Sequence, residues 1–435
     1  MESAQRLRPP TCRVQRQRRI RHVEGGRGKR LDQRRTVHDG GVDGYQEGWS
    51  RPHHLIPRHG SREPHSRSQR ERKAVKTPFS LRLVAWEMTQ ACNLACVHCR
   101  AGACKHALPD ELTTREGKKL IEGIRSVGAP ILIMTGGEPL LREDFFELAE
   151  YGVHAGLRVV LATNGVLVDG PTANKIAQVG VRRVSISLDG PTAEEHDAFR
   201  QVVGAFDASL NGVQNLRQAA VPVQINTTVT KRNRAKLKDI MKLAEEIGAA
   251  AFHVFLLVPT GRAREMAGEE MGPEEYEETL REFYYLSRST SMETKATCAP
   301  QYYRIMRQEA KREGLEVTER TFGMNALTRG CLAGLSFVFV SHAGELQPCG
   351  YFDMKAGSVR DAEFKDLWEQ APLFNQLRNF RLLEGKCGRC DYVRYCGGCR
   401  ARAYEATGRY MAPEPYCGYL PPAMRSSGPD GSSPK

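Results

Sequence analysis

Residues 82–99 read RLVAWEMTQACNLACVHC, and the fold turns on how the two halves of that stretch are joined. The first half is strand-like, rich in apolar residues with no helical period. The second half sets Cys92, Cys96 and Cys99 directly after it, three thiols within eight residues. Spacings of four and three also fit one face of a helix, which would make the cysteines a plain buried stripe. The strand ahead of them and Asn93 beside Cys92 favour a loop. Closely grouped thiols in a chain without secretory features point to metal rather than to a disulfide framework. Structural zinc takes four closed ligands. An iron–sulfur cubane held by three cysteines instead keeps one iron open to a further ligand.

Downstream, short runs rich in Val, Ile and Leu alternate with amphipathic segments. Strands are expected at 81–89, 130–135, 158–164, 182–189, 223–230 and 251–259, and helices at 113–127, 143–155, 171–179, 206–219 and 234–247. Thr113 and Glu116 have the spacing of a capping box, and Leu120, Ile121 and Ile124 form one apolar face behind it. Regular alternation of strand and helix predicts an α/β fold with a parallel sheet and right-handed crossovers. Six such units suit a partial (β/α)6 TIM-type barrel, with a doubly wound open sheet as the alternative. A barrel places its chemistry at the C-terminal ends of its strands, where the three cysteines stand.

The net charge of +13 is unevenly spread. Residues 1–80 carry 20 Lys and Arg against 8 Asp and Glu; 81–435 carry 44 against 43. The basic character therefore belongs to the first segment, which lacks apolar periodicity and is expected to be disordered. It reads as a tail or an upstream-assigned start rather than as a nucleic-acid arm or transit peptide. No run of about 18 apolar residues and no signal-like core occurs, so a cytoplasmic protein with no membrane span is expected. The expected organisation is a basic segment at 1–79, a core barrel at 80–260, a helical connection at 261–330, a small cysteine-rich iron–sulfur domain at 331–420 and a disordered tail at 421–435.

The three-cysteine loop resembles the CxxxCxxC signature of the radical S-adenosylmethionine (SAM) superfamily, whose open iron chelates the amino and carboxylate groups of SAM. That resemblance implies a [4Fe-4S] cluster on Cys92, Cys96 and Cys99. It also implies SAM contacts from TGGEP (135–139), where Gly136 and Gly137 permit close backbone approach and Glu138 can accept from the SAM ammonium. Ser187 and Asp189 in SISLDG would meet the ribose, with Asn226 at another strand end; Asn164 and Thr228 are weaker candidates. His98 would pack near the adenine.

Near the C-terminus, CGRCDYVRYCGGC supplies Cys387, Cys390, Cys396 and Cys399, and Cys417 follows in EPYC. Two CxxC pairs alone suit zinc and iron–sulfur equally. With Cys331, Gly344 and Cys349 upstream, the ensemble resembles the SPASM/Twitch extension, which houses auxiliary [4Fe-4S] clusters. By that resemblance Cys387, Cys390, Cys396 and Cys417 ligate one auxiliary cluster. Cys331, Cys349 and Cys399 form a possible second site, with two residues rather than three between Cys396 and Cys399 and no evident fourth ligand. Cys12, Cys104 and Cys298 fit neither set and read as buried or incidental thiols.

TGGEPLLR, INTTVT, FLLVPTGR, KATCAPQYYRI, TRGCLAG and CGGCRARAYEATG extend the likeness over roughly 80–420, toward the heme b synthases of the siroheme-dependent heme pathway. This implies a porphyrin substrate, iron-coproporphyrin III, losing two propionate carboxylates to give vinyl groups, and an electron donor such as flavodoxin or ferredoxin. Arg262, Lys295, Arg304 and Arg329 stand in these motifs as candidates for the substrate carboxylates, since guanidinium forks suit carboxylates. Tyr302 and Tyr303 either stack on the macrocycle or fill a core. Rival readings are an enzyme trimming side chains of a siroheme derivative, a SPASM peptide maturase, and a non-catalytic iron–sulfur carrier.

Overall fold

The computed structural model describes residues 79–425, all within one compact unit. The expectations for 1–78, for Cys12 and for the tail beyond 425 lie outside the described residues. Seven parallel strands run in chain order: β1 (Leu83–Glu87), β2 (Ile131–Thr135), β3 (Arg158–Thr163), β4 (Val184–Ser187), β5 (Val223–Val229), β6 (Ala251–Leu256) and β7 (Glu293–Thr297). Between them lie α1 (Thr114–Val127), α2 (Phe145–His154), α3 (Gly170–Gln178), α4 (Ala193–Arg200), α5 (Ala205–Gln218), α6 (Leu237–Glu246) and α7 (Pro273–Arg288), with α8 (Tyr302–Arg312) after β7.

Strand alternation separates two faces. Val84, Trp86, Leu132, Met134, Val159, Leu161, Val184, Ile186, Ile225 and Phe252 point outward into one continuous core with the helices. In α1 the expected box is formed: Thr113 and Glu116 cap each other, and Leu120, Ile121 and Ile124 are buried against the sheet. Such a cap stabilises a helix by about 1 kcal/mol. The opposite face is smaller and more polar. Ser187, Asn226, His253 and Lys295 form one register row across β4, β5, β6 and β7.

The sheet stays open, and the chain exceeds the expected six strands in two ways. β7 lies within 261–330, read from sequence as a helical connection. Its residues are Glu, Thr, Lys, Ala and Thr, with only Ala296 buried, so it carries no apolar alternation. β8 (Phe337–Val340), the first strand of the cysteine-rich region, pairs in parallel with β1, so that region continues the barrel sheet. β9 (Glu345–Gln347) and β10 (Gly357–Ser358) follow antiparallel, the β8–β9 turn passing through Gly344 at φ 81°. No helix among the described residues is long and apolar enough to cross a membrane.

Candidate active site and iron–sulfur sites

The cysteine loop is held by its backbone from several directions. Gly137 N–H donates to the Thr89 carbonyl and Glu138 N–H to the Ala91 carbonyl, both at 2.7 Å. A Cβ on Gly137 would sit 2.2 Å from the Ala91 oxygen, and one on Gly136 2.7 Å from that of Thr89. The two glycines, expected to admit a ligand, thus admit the chain's own Thr89–Ala91 segment. The Cys92 N–H donates to the Cys104 carbonyl at 2.8 Å, which gives the backbone of Cys104 a structural part. Ala95 and Val97 donate to the carbonyls of Arg200 and Phe199 at the end of α4.

Arg262 closes the loop from the side after β6. Its Nε donates to the Cys96 carbonyl at 2.8 Å, its Nη1 to Ala103 at 2.7 Å, and its backbone N–H to Cys99 at 3.0 Å. It was expected to meet a substrate carboxylate; the structure turns its guanidinium onto the cysteine loop, because Gly261, at φ 58°, brings this segment against Cys99 and Arg100.

Glu138 and Asp189 are both fully buried. Glu138 accepts from Thr163 Oγ1 (2.7 Å), Asn164 N–H (2.9 Å) and Leu140 N–H (3.1 Å), tying the end of β2 to that of β3. Burial pushes its carboxyl up to about 7, against those hydrogen bonds. Asp189 accepts from Thr228 N–H at 2.7 Å and from Arg200 Nη2, and His98 Nε2 lies 3.4 Å away. Burial would raise its pKa, but Arg200 and His98 hold it below the usual carboxylate range. Arg200, a residue the sequence reading missed, also donates to Cys96 Sγ at 3.5 Å. Burial drives His98 down to about 4, so the ring is neutral, edge-on to Phe199 at 5.4 Å. Asn164 binds Asn93 through its side chain at 2.7 Å.

The donor set fits a cubane. Burial lifts the Cys92 thiol to about 12 and raises Cys96 despite Arg200, so thiolates there need a nearby cation such as iron.

Cys387, Cys390, Cys396 and Cys417 line one pocket together with Arg304 and Lys386. Their sulfurs receive donors from the backbone: Glu414 N–H to Cys387 (3.3 Å), Tyr392 N–H to Cys390 (3.4 Å) and Gly398 N–H to Cys396 (3.4 Å). Donors of this kind bind iron–sulfur thiolates well.

Cys298, read from sequence as incidental, lies beside two candidates for the second set. Cys298, Cys349 and Cys399 pack in one buried cluster around Phe352 and Val258. Burial raises the Cys298 thiol, and Cys399 and Cys331 raise it further; Cys349 is raised by burial and then by Cys399, Cys298 and Cys331. Cys298 follows β7 directly and has a left-handed backbone, φ 55°, unusual for a residue with a Cβ. The sequence signal was present, a cysteine at a strand's C-terminal end, but the strand itself was not recognised. Among the described residues no three His, Cys, Asp or Glu side chains converge tightly enough to hold a single metal ion.

The remaining cation candidates separate. Arg304 pairs with Glu277, donates to Gln308 at 2.7 Å and lies over Tyr419 beside the first auxiliary set. Arg329 donates to the Val393 carbonyl at 3.3 Å and lies over Phe380. Lys295 occupies the inner barrel row with no hydrogen bond or ion pair among the described residues, and burial lowers its pKa. Tyr302 and Tyr303 are core side chains.

The family model of the radical SAM superfamily matches residues 86–244, and that of the SPASM iron–sulfur cluster-binding domain matches 331–400. The AdoMet-dependent heme synthase of Oleidesulfovibrio alaskensis is 54% identical over 78% of this chain and 88% of its own length. That of Methanosarcina barkeri is 52% identical over 78% and 97%. Among solved structures, Streptococcus suis SuiB bound to S-adenosylmethionine shares the fold, with a TM-score of 0.62 at 17% identity over 78% of each chain. The chain is an enzyme of the radical SAM superfamily with a SPASM domain, uses S-adenosylmethionine and [4Fe-4S] clusters, and belongs to the family of the AdoMet-dependent heme synthases of heme biosynthesis.

Proposed function

We propose that this enzyme converts two propionate arms of iron-coproporphyrin III into vinyl groups, giving heme b. One observation carries the reading: 54% and 52% of 340 aligned residues are identical to those of two heme synthases, over 88% and 97% of the lengths of those proteins. Each conversion removes one hydrogen atom, one CO2 and one electron from a CH2CH2COO− arm.

Cys92, Cys96 and Cys99 would hold a [4Fe-4S] cluster which, reduced and with SAM bound, would supply the 5′-deoxyadenosyl radical needed to take the hydrogen. The first electron comes from a small carrier such as flavodoxin or ferredoxin. Arg262 and the Thr89–Ala91 ladder keep the cysteine loop preformed. Glu138, Ser187, Asp189 and Asn226 would contact SAM, while Gly136 and Gly137 hold the Thr89–Ala91 segment that leads into the cysteine loop. Lys295, next to His253 in the inner row that runs on through Asn226 to Ser187 and without a hydrogen bond or ion pair among the described residues, meets a substrate carboxylate. Cys387, Cys390, Cys396 and Cys417 hold one auxiliary cluster. Cys298, Cys331, Cys349 and Cys399 hold a second, and auxiliary clusters provide a tunable destination for the surplus electron.

The test is incubation of the anaerobically reconstituted enzyme with iron-coproporphyrin III, SAM and a reductant, followed by mass spectrometry. Stepwise loss of CO2 plus two hydrogens, twice, is expected. An unchanged porphyrin alongside side-chain loss from a siroheme derivative contradicts the assignment.

A further inference from the structure

Between the two auxiliary thiol sets lies an ion pair that neither set explains. Glu414 and Arg402 have wholly buried side chains, 0% exposed each, joined by Arg402 Nε donating to Glu414 Oε1 at 2.8 Å. A buried pair of this kind is weak support for stability, since a well-packed apolar pair does as well. Its neighbours are what distinguish it.

Glu414 touches both sets. Its backbone N–H reaches Cys387 Sγ at 3.3 Å, and its Oε2 accepts from the Cys399 N–H at 2.6 Å. Arg402 ties the second set to the barrel. Its backbone N–H reaches Cys399 Sγ at 3.5 Å, and its Nη2 donates to the Cys298 carbonyl at 2.7 Å. Its Nη1 donates to Tyr276 Oη at 2.9 Å and to the Leu257 carbonyl, just past β6, at 3.2 Å. The guanidinium lies over Tyr276 and Tyr416, which stack with ring centroids 5.2 Å apart.

We propose that the Glu414–Arg402 pair is a positioning element shared by both auxiliary centres, which fixes the two thiol sets against each other and sets the reduction potentials of both. This rests on the ligand sets proposed above. The physical reason is that a fixed charge or a hydrogen bond to a ligand sulfur, in a site shielded from water, shifts the balance between oxidised and reduced cluster. A carboxylate bonded to one set through its oxygen and to the other through its backbone acts on both together. Removing its charge leaves Arg402 uncompensated and favours the more negative, reduced form of each centre.

The experiment is an EPR-monitored redox titration of the full-length, anaerobically reconstituted enzyme and its Glu414→Gln and Glu414→Asp variants, with iron and sulfide measured on each. In Glu414→Gln both auxiliary signals move to higher potential at unchanged iron content, while the signal that responds to added SAM stays in place. In Glu414→Asp, which keeps the charge, both move the same way by less. The proposal is overturned if only one auxiliary signal moves, if neither moves, if Glu414→Asp shifts as far as Glu414→Gln, or if iron is lost from one centre alone. If Glu414→Gln does not fold, Glu414→Asp decides by whether both signals move together. Cys298→Ala and Cys387→Ala test the ligand sets separately: unchanged iron in both rejects those sets whatever Glu414 does.

Discussion

The two cysteine-bearing regions of this enzyme are organised by different forces. The loop after β1 hangs on a regular parallel sheet: strand ends, a glycine pair and Arg262 hold its backbone, and among the described residues the only charged donor to its sulfurs is Arg200 on Cys96. The region from Cys331 onward has few long elements. Its thiols receive backbone N–H donors and, on Cys387, the Arg400 guanidinium, one buried ion pair lies among them, and metal bonds would add the remaining constraint. A preformed loop suits a site that exchanges SAM at every turnover. A tightly wrapped set suits a permanently ligated cluster.

The largest effect expected from breaking this contrast is at the loop itself. Cys96→Ala leaves the barrel folded by circular dichroism and abolishes 5′-deoxyadenosine formation; surviving SAM cleavage would refute the assignment of the loop.

Glu138 sharpens the contrast through pH. Its carboxyl titrates near 7 in the folded chain and near 4.5 when free. The folded state keeps a proton that the unfolded state has lost between those values, so this group's contribution to stability is present below pH 4.5 and lost as pH rises through 7. The span corresponds to about 3 kcal/mol. His98 and His196, both depressed to about 4, act in the opposite sense as pH falls. They are common to wild type and Glu138→Gln, so the difference between the two isolates Glu138. Chemical denaturation across pH 4.5 to 7 should show Glu138→Gln gaining on wild type as pH rises; parallel curves contradict the buried-proton account.

Gly137→Ala forces a Cβ into the Ala91 carbonyl and should cost about 2–3 kcal/mol, in the range of overpacked sites. Gly170→Ala, at the start of α3 with open space around it, should stay within about 0.5 kcal/mol. Equal melting shifts would show that the ladder under the loop is dispensable.

Lys295→Met should raise KM for iron-coproporphyrin III about tenfold or more, the size of one charge-assisted hydrogen bond, while uncoupled SAM cleavage is unchanged. An unaltered KM would remove Lys295 from the substrate.

What could be read in advance follows the same division. β1 to β6 and the α1 cap were legible because hydrophobic burial on one face imposes a period. β7 was not, since its inner face carries Lys295 and its outer face little apolar weight. Pairing of β8 with β1 was hidden because β strands distant in sequence carry no mark of their partner. The loop cysteines were visible as a spacing, whereas spacing alone pairs Cys396 with Cys399, and it was the resemblance to the SPASM/Twitch extension that grouped Cys387, Cys390 and Cys396 with Cys417. Cys298 was not visible, because it is 33 residues from Cys331 and only the end of β7 brings it there. Arg200 was missed with α4, a short helix whose buried residues include a histidine and an arginine.

The division of labour between the regions is tested most directly by assaying Cys387→Ala with iron-coproporphyrin III, SAM and a reductant, and quantifying 5′-deoxyadenosine and vinyl product in the same reaction. The account predicts 5′-deoxyadenosine without vinyl product, against both in wild type. Vinyl formation at the wild-type rate in that variant would contradict it.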